Sequence, residues 1–133
     1  MTDLLFVYGT LMHASKHPMA RRLREAAAYL GPAHYQGRLY MISYYPGLVP
    51  SDDPADHVHG DLYRVPDDAA LMAALDEYEN CGPGYPDPAE YVRTTQTITL
   101  TRDSSRHDAL VYLYNWPLNE ASRIASGRFP LEA

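Results

Sequence analysis

A glutamate at the end of a predicted helix is the first candidate for chemistry. In the segment "AALMAALDEYE", a helical step of about 100° per residue from Leu71 puts Leu75 at about 40° and Glu79 at about 80°. Glu79 therefore points with the apolar stripe, whereas Glu77, at about 240°, lies on the opposite side. Partial burial raises the pKa of a carboxyl group and makes it a better base near neutral pH. The alternative is that Glu79 caps the helix end or reaches past the stripe into water.

A second candidate is the break in the apolar stretch "FVYGTL", residues 6–11. A strand that runs into a turn at Gly9 before a helix leaves backbone N–H groups without partners, and such groups can bind an anion or a developing oxyanion. Glycine permits close approach of the backbone and a conformation that a Cβ would forbid. The turn is therefore a candidate binding site.

Histidine and cysteine residues suggest two further kinds of chemistry. His13 and His17 are four residues apart, and His57 and His59 are two apart on a predicted strand, so either pair could contribute to a metal site. Neither pair has an evident third ligand, and we expect no metal. A nucleophilic Cys81 would need a neighbouring base. We interpret it as a loop thiol without a role.

The elements that must position these residues follow from periodicity and from Gly and Pro punctuation. The prediction, in chain order, is a strand "LLFVY", a helix "HPMARRLREAAAYLG" ending at Gly31-Pro32, a strand "AHYQGRLYMI", a turn "SYYPG", a loop "VPSDDPADH", a strand "VHGDLYRV", the helix "AALMAALDEYE", a loop "NCGPGYPDPAE", a hairpin of "YVRTTQTITLT" and "DALVYLYN" joined by "RDSSRH", and a short last helix "NEASRIASG".

The order of the elements predicts an α+β fold on a mixed sheet or small barrel. In "DALVYLYN" both alternating faces are apolar or aromatic, which is typical of a strand covered on both sides or closed into a barrel. Twelve Tyr against two Phe favours aromatic surfaces that carry a polar tip, either in a small-molecule pocket or in pairs across strands.

Length, charge and cysteine content limit the function classes. The 133 residues suit one domain over 1–133. A net charge of −6 and scattered Arg argue against a nucleic-acid partner. The single Cys predicts a reducing compartment. No segment approaches the roughly 20 apolar residues of a membrane span, so we expect a cytoplasmic protein without a membrane partner.

Taken in order, "VYGTL", "GRLYMISYYPGLV", "VHGDLY", "LDEYE", "EYVR" and "IASG" resemble the segments of the gamma-glutamylcyclotransferase-like family. The resemblance covers nearly the whole chain, and its specificity lies in the ordered set. It implies a small mixed β-barrel with two main flanking helices. It also implies a pocket between the "YGTL" turn and an essential glutamate, here Glu79. One departure is Asn80, where relatives often have Gly, and it alters the loop on the leaving-group side.

The resemblance implies an enzyme of the acyltransferase or lyase type that needs no cofactor. Its substrate would be a small gamma-glutamyl amide, which it would cyclise to 5-oxoproline with release of an amine or amino acid. Glu79 would be the general acid/base. The leaving group and the oligomeric state are left open.

The same resemblance names the residues expected to bind substrate. They are Tyr8, Gly9, Thr10, Leu11 and Tyr91. Backbone N–H groups of the turn would meet either the oxyanion or the substrate α-carboxylate. For the two tyrosines, aromatic packing is the alternative. Arg93 shares a strand face with Tyr91 and would pair either with a substrate carboxylate or with a carboxylate of the protein surface.

Two rival readings belong to other classes of protein. A non-catalytic domain of this fold could hold an acidic or amide metabolite without turning it over. A structural subunit with interaction surfaces alone is the second rival. Pure binding has no use for a half-buried base, so Glu79 beside an intact "YGTL" favours the enzyme.

Overall fold

A computed structural model describes residues 3–9, 11–12, 15–42, 46–66, 69–78, 91–118, 122–124 and 126–129. Its elements, in chain order, are β1 Leu4–Val7, α1 Pro18–Ala26, β2 Ala28–Met41, β3 Pro46–Pro50, β4 His57–Arg64, α2 Ala69–Tyr78, β5 Tyr91–Leu100, β6 Arg106–Tyr114 and β7 Ser122–Arg123.

Five strands close into a barrel. They pair in the order β2–β4–β1–β6–β5, and a β2–β5 pairing closes the ring. The β1–β6 pairing is parallel and the others are antiparallel. The strands β3 and β7 extend the sheet by pairing with β2. With its two helices this is the α+β mixed barrel that the sequence predicts.

Alternate residues of each barrel strand point to opposite faces, and the two faces form two cores. In β1, Leu4 and Phe6 belong to the inner core with the following residue Tyr8, whereas Leu5 and Val7 belong to an outer core that the helices cover. All of these side chains are buried. A barrel strand covered on both sides is therefore expected to be apolar on both faces. This holds for β1, and it explains the same pattern in "DALVYLYN", which contains most of β6.

The first helix begins where the sequence predicts but ends earlier. His17 caps it, since its Nδ1 accepts a hydrogen bond from the Met19 backbone N–H at 3.0 Å, and Pro18 occupies the first turn. The predicted end at Gly31-Pro32 is wrong. Residues from Ala28 onward pair with β4, and this strand pairing overrides the helical propensity of the Ala run.

Two other predictions fail in the same region of the sheet. The stretch expected to be a turn and a loop contains β3, which starts at Pro46 and ends at Pro50. Proline is tolerated there because β3 is an edge strand, paired on one side with β2. The expected last helix is also wrong, since Ser122 and Arg123 form β7 against Met41 and Tyr40.

The second helix and the C-terminal hairpin confirm the sequence prediction. Leu71 and Leu75 are buried in the outer core, and Glu77 is exposed. The strands β5 and β6 pair along nearly their whole length, from Tyr91 to Thr99 on β5. Their connection turns at Ser104, which has a φ of 61°.

Candidate functional site

The candidate site lies where β1 ends. Tyr8 is 6% exposed, and its hydroxyl donates a hydrogen bond to the Tyr112 carbonyl at 2.6 Å. The Met12 N–H donates to the Gly9 carbonyl at 3.0 Å and closes the turn. Among the loop hydrogen bonds of the described residues, none is donated by the N–H of Gly9 or of Leu11. This holds for backbone acceptors among the described residues, and the binding role expected of this turn stays a prediction.

Close approach of a second strand explains the glycine in this turn. A Cβ added to Gly9 would lie 2.8 Å from Pro46 Cγ, closer than real Cβ contacts come. The φ of Gly9 is not positive, since the positive values among the described glycines belong to Gly31 and Gly127. The expectation that a Cβ would forbid the conformation itself is therefore not met, and the space taken by Pro46 is the reason for glycine.

Tyr91 forms the wall next to Pro46. Its side chain is 3% exposed, and its hydroxyl donates to the Pro46 carbonyl at 2.6 Å. Its ring meets Tyr114 edge-on, with centroids 5.5 Å apart. A Cβ on the next residue, Gly47, would lie 2.9 Å from Tyr114 Cγ. The first residues of β3 are thus held between the β1 turn and this tyrosine pair.

Sequence reasoning did not select Pro46 or Tyr114 as site residues. Pro46 follows two tyrosines in "SYYPG", where Pro-Gly is an ordinary turn signal. Tyr114 stands among alternating aromatic residues of a barrel strand. Nothing in either local pattern indicates that the two meet, because the contact depends on the fold.

The structure brings four predicted site residues to one end of the barrel. Gly9 and Tyr91 both contact Pro46. Leu11 is buried in the outer core with Tyr91, and Tyr8 reaches β6 from the inner core. Two further site residues, Thr10 and Glu79, lie outside the described residues, as does Cys81. The helix that precedes Glu79 packs on the same outer core through Leu71 and Leu75.

Arg93 forms an ion pair with the protein. Its Nη1 lies 3.0 Å from Asp76 Oδ1 on α2, and the Tyr112 hydroxyl donates to the same oxygen at 2.7 Å. The Asp76 side chain is 22% exposed and that of Arg93 34%. The sequence predicts that Arg93 pairs either with a substrate carboxylate or with a carboxylate of the protein. In the structure it pairs with the protein carboxylate of Asp76.

The fold adds a third ring to one histidine pair. His34 of β2 lies with its ring centroid 4.7 Å from His57 and 6.1 Å from His59. Burial, and then repulsion from His57, lower the pKa of His34. The pKa of His59 is also lowered, by burial first, then by the charge of Arg128 and by the other two rings. Within the described ranges, no three His, Cys, Asp or Glu side chains are placed to hold a metal ion. The expected absence of a metal stays a prediction, and so does the absence of a cofactor.

Neither helix that the structure describes is long and apolar enough to cross a membrane.

Comparison with solved structures places this fold among known relatives. YkqA from Bacillus subtilis superposes with a TM-score of 0.69 at 26% identity over 97% of this chain, which spans 40% of that protein. The ytfP protein from Escherichia coli gives a TM-score of 0.61 at 30% identity and covers 94% of both chains. An AIG2-like mouse protein shares the fold with a TM-score of 0.63 at 23% identity over 84% of this chain and 76% of its own.

Sequence comparison identifies the family. A protein of Vibrio cholerae serotype O1, provisionally assigned as a gamma-glutamylcyclotransferase, is 35% identical over 96 residues, which are 71% of this chain and 72% of that protein. The model of the family described as "Gamma-glutamyl cyclotransferase, AIG2-like" matches residues 5–131. Because that match spans nearly the whole sequence, this chain belongs to the AIG2-like gamma-glutamyl cyclotransferase family.

Proposed function

We propose that this chain cyclises the gamma-glutamyl group of a small amide to 5-oxoproline and releases an amine or amino acid. The observation that carries the proposal is the family match over residues 5–131. The β1 turn supports it, since the N–H groups of Gly9 and Leu11 donate none of the backbone–backbone loop hydrogen bonds between described residues. Such groups suit the oxyanion of an acyl transfer or the α-carboxylate of the substrate.

The reaction asks for positioning more than for a protein nucleophile. The substrate α-amine attacks its own γ-carbonyl, the new N–C bond closes the five-membered ring, and the amide C–N bond breaks. Holding such a chain folded supplies an effective molarity of roughly 10⁵ M or more. Buried packing of Tyr8 on the inner face and of Leu11 and Tyr91 on the outer face would hold the β1 turn in place for a folded substrate. No metal, cofactor or covalent enzyme intermediate enters this scheme.

Glu79 is the proposed general acid/base. The α-amine is protonated at neutral pH, so it loses two protons on its way to the lactam, and the departing nitrogen gains two to leave as an ammonium group. Glu79 would carry one of them, accepting it from the attacking amine and returning it to the leaving nitrogen, while the other exchanges with water. The end of α2 is suited to present this carboxylate, because the helix packs on the outer core with Leu11 and Tyr91.

Substrate-binding roles for Tyr8, Gly9, Thr10, Leu11 and Tyr91 belong to the same proposal. The hydroxyl of Tyr91 already donates to Pro46, and that of Tyr8 to Tyr112. We therefore assign these two side chains to the shape of the pocket and the backbone of the turn to the polar contacts. A compartment without disulfide formation, as in the cytoplasm, suits the single Cys.

Product analysis in ¹⁸O-labelled water tests the reaction class. The purified chain is given gamma-glutamyl amino acids, gamma-glutamyl amines and glutathione, and the products are followed by mass spectrometry. We expect unlabelled 5-oxoproline, because no water oxygen enters a cyclisation, and the substrate that yields it names the leaving group. Labelled glutamate would indicate a hydrolase instead. Binding of a substrate, seen as a raised Tm without any product, would favour the rival binding domain.

A substrate whose α-amine is acetylated is the matched control. It keeps the γ-amide and lacks the internal nucleophile, so we expect no product from it. Release of the leaving amine from this substrate at the normal rate would show that the γ-carbonyl is attacked by a group other than the substrate α-amine.

A further inference from the structure

Tyr112 connects the two faces of the barrel wall at the candidate site. Its backbone carbonyl accepts the hydroxyl of Tyr8 at 2.6 Å on the inner side. Its ring points to the outer side, where its own hydroxyl donates to Asp76 Oδ1 at 2.7 Å. Tyr112 is 2% exposed and Tyr8 6%, so the bond between them is shielded from water, whereas the bond to the Asp76 side chain, which is 22% exposed, is shielded only in part. A hydrogen bond in such surroundings is costly to break, because the buried partner is left unsatisfied.

The carboxylate of Asp76 receives a second donor from the neighbouring strand. Arg93 is the cross-strand partner of Tyr112, and its Nη1 lies 3.0 Å from the same Oδ1. Two adjacent strands of the barrel therefore bind one oxygen on α2. Glu79 lies three positions after Asp76 in sequence.

These contacts differ in kind from the apolar anchors of α2. Leu71 and Leu75 anchor the helix by apolar burial, which is not directional and tolerates small rotations or shifts of the helix. Hydrogen bonds of 2.7 and 3.0 Å to one carboxylate oxygen are directional and fix distance and angle. The directional contacts lie in the C-terminal part of the helix.

We propose that Asp76 is a positioning residue which, through Tyr112, fixes the end of α2 just before Glu79 relative to the turn after β1. The inference rests on the proposed function, because Glu79 and the turn are the two parts that cyclisation must bring to one substrate. It needs no contact between Asp76 and substrate. A misplacement of about 1 Å in a catalytic group typically costs about 100-fold in rate.

Kinetics of two variants test this. Tyr112→Phe deletes one hydroxyl and keeps the ring, and Asp76→Ala deletes the shared acceptor. Each should lower kcat about 10- to 100-fold with KM changed less than about threefold. The double variant should be no slower than the slower single one, since the two residues act as a unit. A kcat within twofold of wild type in both variants would overturn the inference.

Tyr35→Phe is the matched control. Tyr35 is also a barrel tyrosine, and its hydroxyl donates to Gln96 at 2.9 Å, without a link to α2. Its removal should leave kcat unchanged while lowering Tm to a similar degree. Equal losses of kcat in Tyr35→Phe and Tyr112→Phe would mean that general destabilisation is the cause.

Hydrogen–deuterium exchange without substrate separates this inference from the proposed function. In Asp76→Ala we expect faster amide exchange at the end of α2. We also expect faster exchange in the turn after β1, around Gly9 and Met12, although Asp76 is not part of that turn. Unchanged exchange in the turn would overturn the coupling even in an active enzyme. Absence of any 5-oxoproline from wild type would instead overturn the proposed function, and the exchange data would still decide the coupling.

Discussion

Gly9 has no room for a side chain, since an added Cβ would lie 2.8 Å from Pro46 Cγ and 3.3 Å from Pro46 Cδ. The proline ring cannot rotate away, so its strand would have to move. We expect Gly9→Ala to lower the free energy of unfolding by about 1–3 kcal/mol, a typical cost of overpacking, and to slow product release by shifting the turn. Urea unfolding and steady-state kinetics measure the two effects.

Pro46→Ala is the partner variant for this prediction, because it removes the two atoms that the new Cβ would meet. The double variant should regain most of the stability lost in Gly9→Ala. Additive losses in the double variant would contradict the steric explanation and point to backbone conformation instead.

At the residue scale, the sequence predicts which side chains are buried better than it predicts their hydrogen-bond partners. Periodicity alone places Leu71 and Leu75 inside and Glu77 outside, as the structure has them. It cannot show that the Tyr91 hydroxyl donates to Pro46, 45 residues away, since such a pair depends on strand order. The roles of Glu79 and Thr10 stay predictions.

At the element scale, Asp56 ties β7 to β2. Its carboxylate accepts from Arg38 of β2 at 2.7 Å and from Arg123 of β7 at 2.8 Å, and Ser51 donates at 2.6 Å. Its side chain is 11% exposed. Hydrogen bonds from Ser51 and Arg38, more than charge attraction, hold the pKa of the Asp56 carboxyl well below its usual range.

The lowered pKa predicts how stability depends on pH. A carboxyl whose pKa is depressed on folding stabilises the native state above its unfolded pKa of about 3.9, and this is lost as pH falls toward the folded pKa. Asp56→Asn should therefore destabilise the protein at pH about 7 and somewhat less at pH about 3, where part of the stabilisation is already lost. Urea unfolding at both pH values measures the difference. An equal deficit at both would contradict the assignment.

Asp53→Asn is the control for the Asp56 prediction. Asp53 lies in the same loop, and its carboxylate accepts the Ala55 N–H at 2.9 Å without joining two strands. We expect only a small effect on stability at either pH.

Elements defined by local patterns are predictable, and those defined by a distant partner are not. The hairpin of β5 and β6 and the helix α2 follow from alternation and from helical spacing. The strand β3 begins and ends with proline, which argues against a strand until its edge position is known. Residues 28–30 have helical composition, yet Ala28 and Tyr29 pair with β4, and the register shifts between Tyr29 and Gly31.

At the scale of the whole molecule, the order of elements and the doubly apolar strand predict an α+β fold on a mixed sheet or small barrel, the family resemblance implies the barrel, and the structure confirms the barrel. What the sequence alone cannot predict is the closure, in which Ala33 and His34 of β2 pair with Leu100 and Thr99 of β5. Closure places the β1 turn, the start of β3 and Tyr91 at one end. That arrangement brings together Gly9, Leu11 and Tyr91, whose roles in substrate binding stay predictions.

The role of Glu79 is tested by the rate of 5-oxoproline release from wild type, Glu79→Gln and Glu77→Gln, with the best substrate from the panel. Glu77 is exposed on the same helix and is the matched control. We predict a fall of about 10²- to 10⁴-fold for Glu79→Gln, with unchanged circular dichroism, and a normal rate for Glu77→Gln. A folded Glu79→Gln variant that keeps the wild-type rate would contradict the role of Glu79 as the general acid/base.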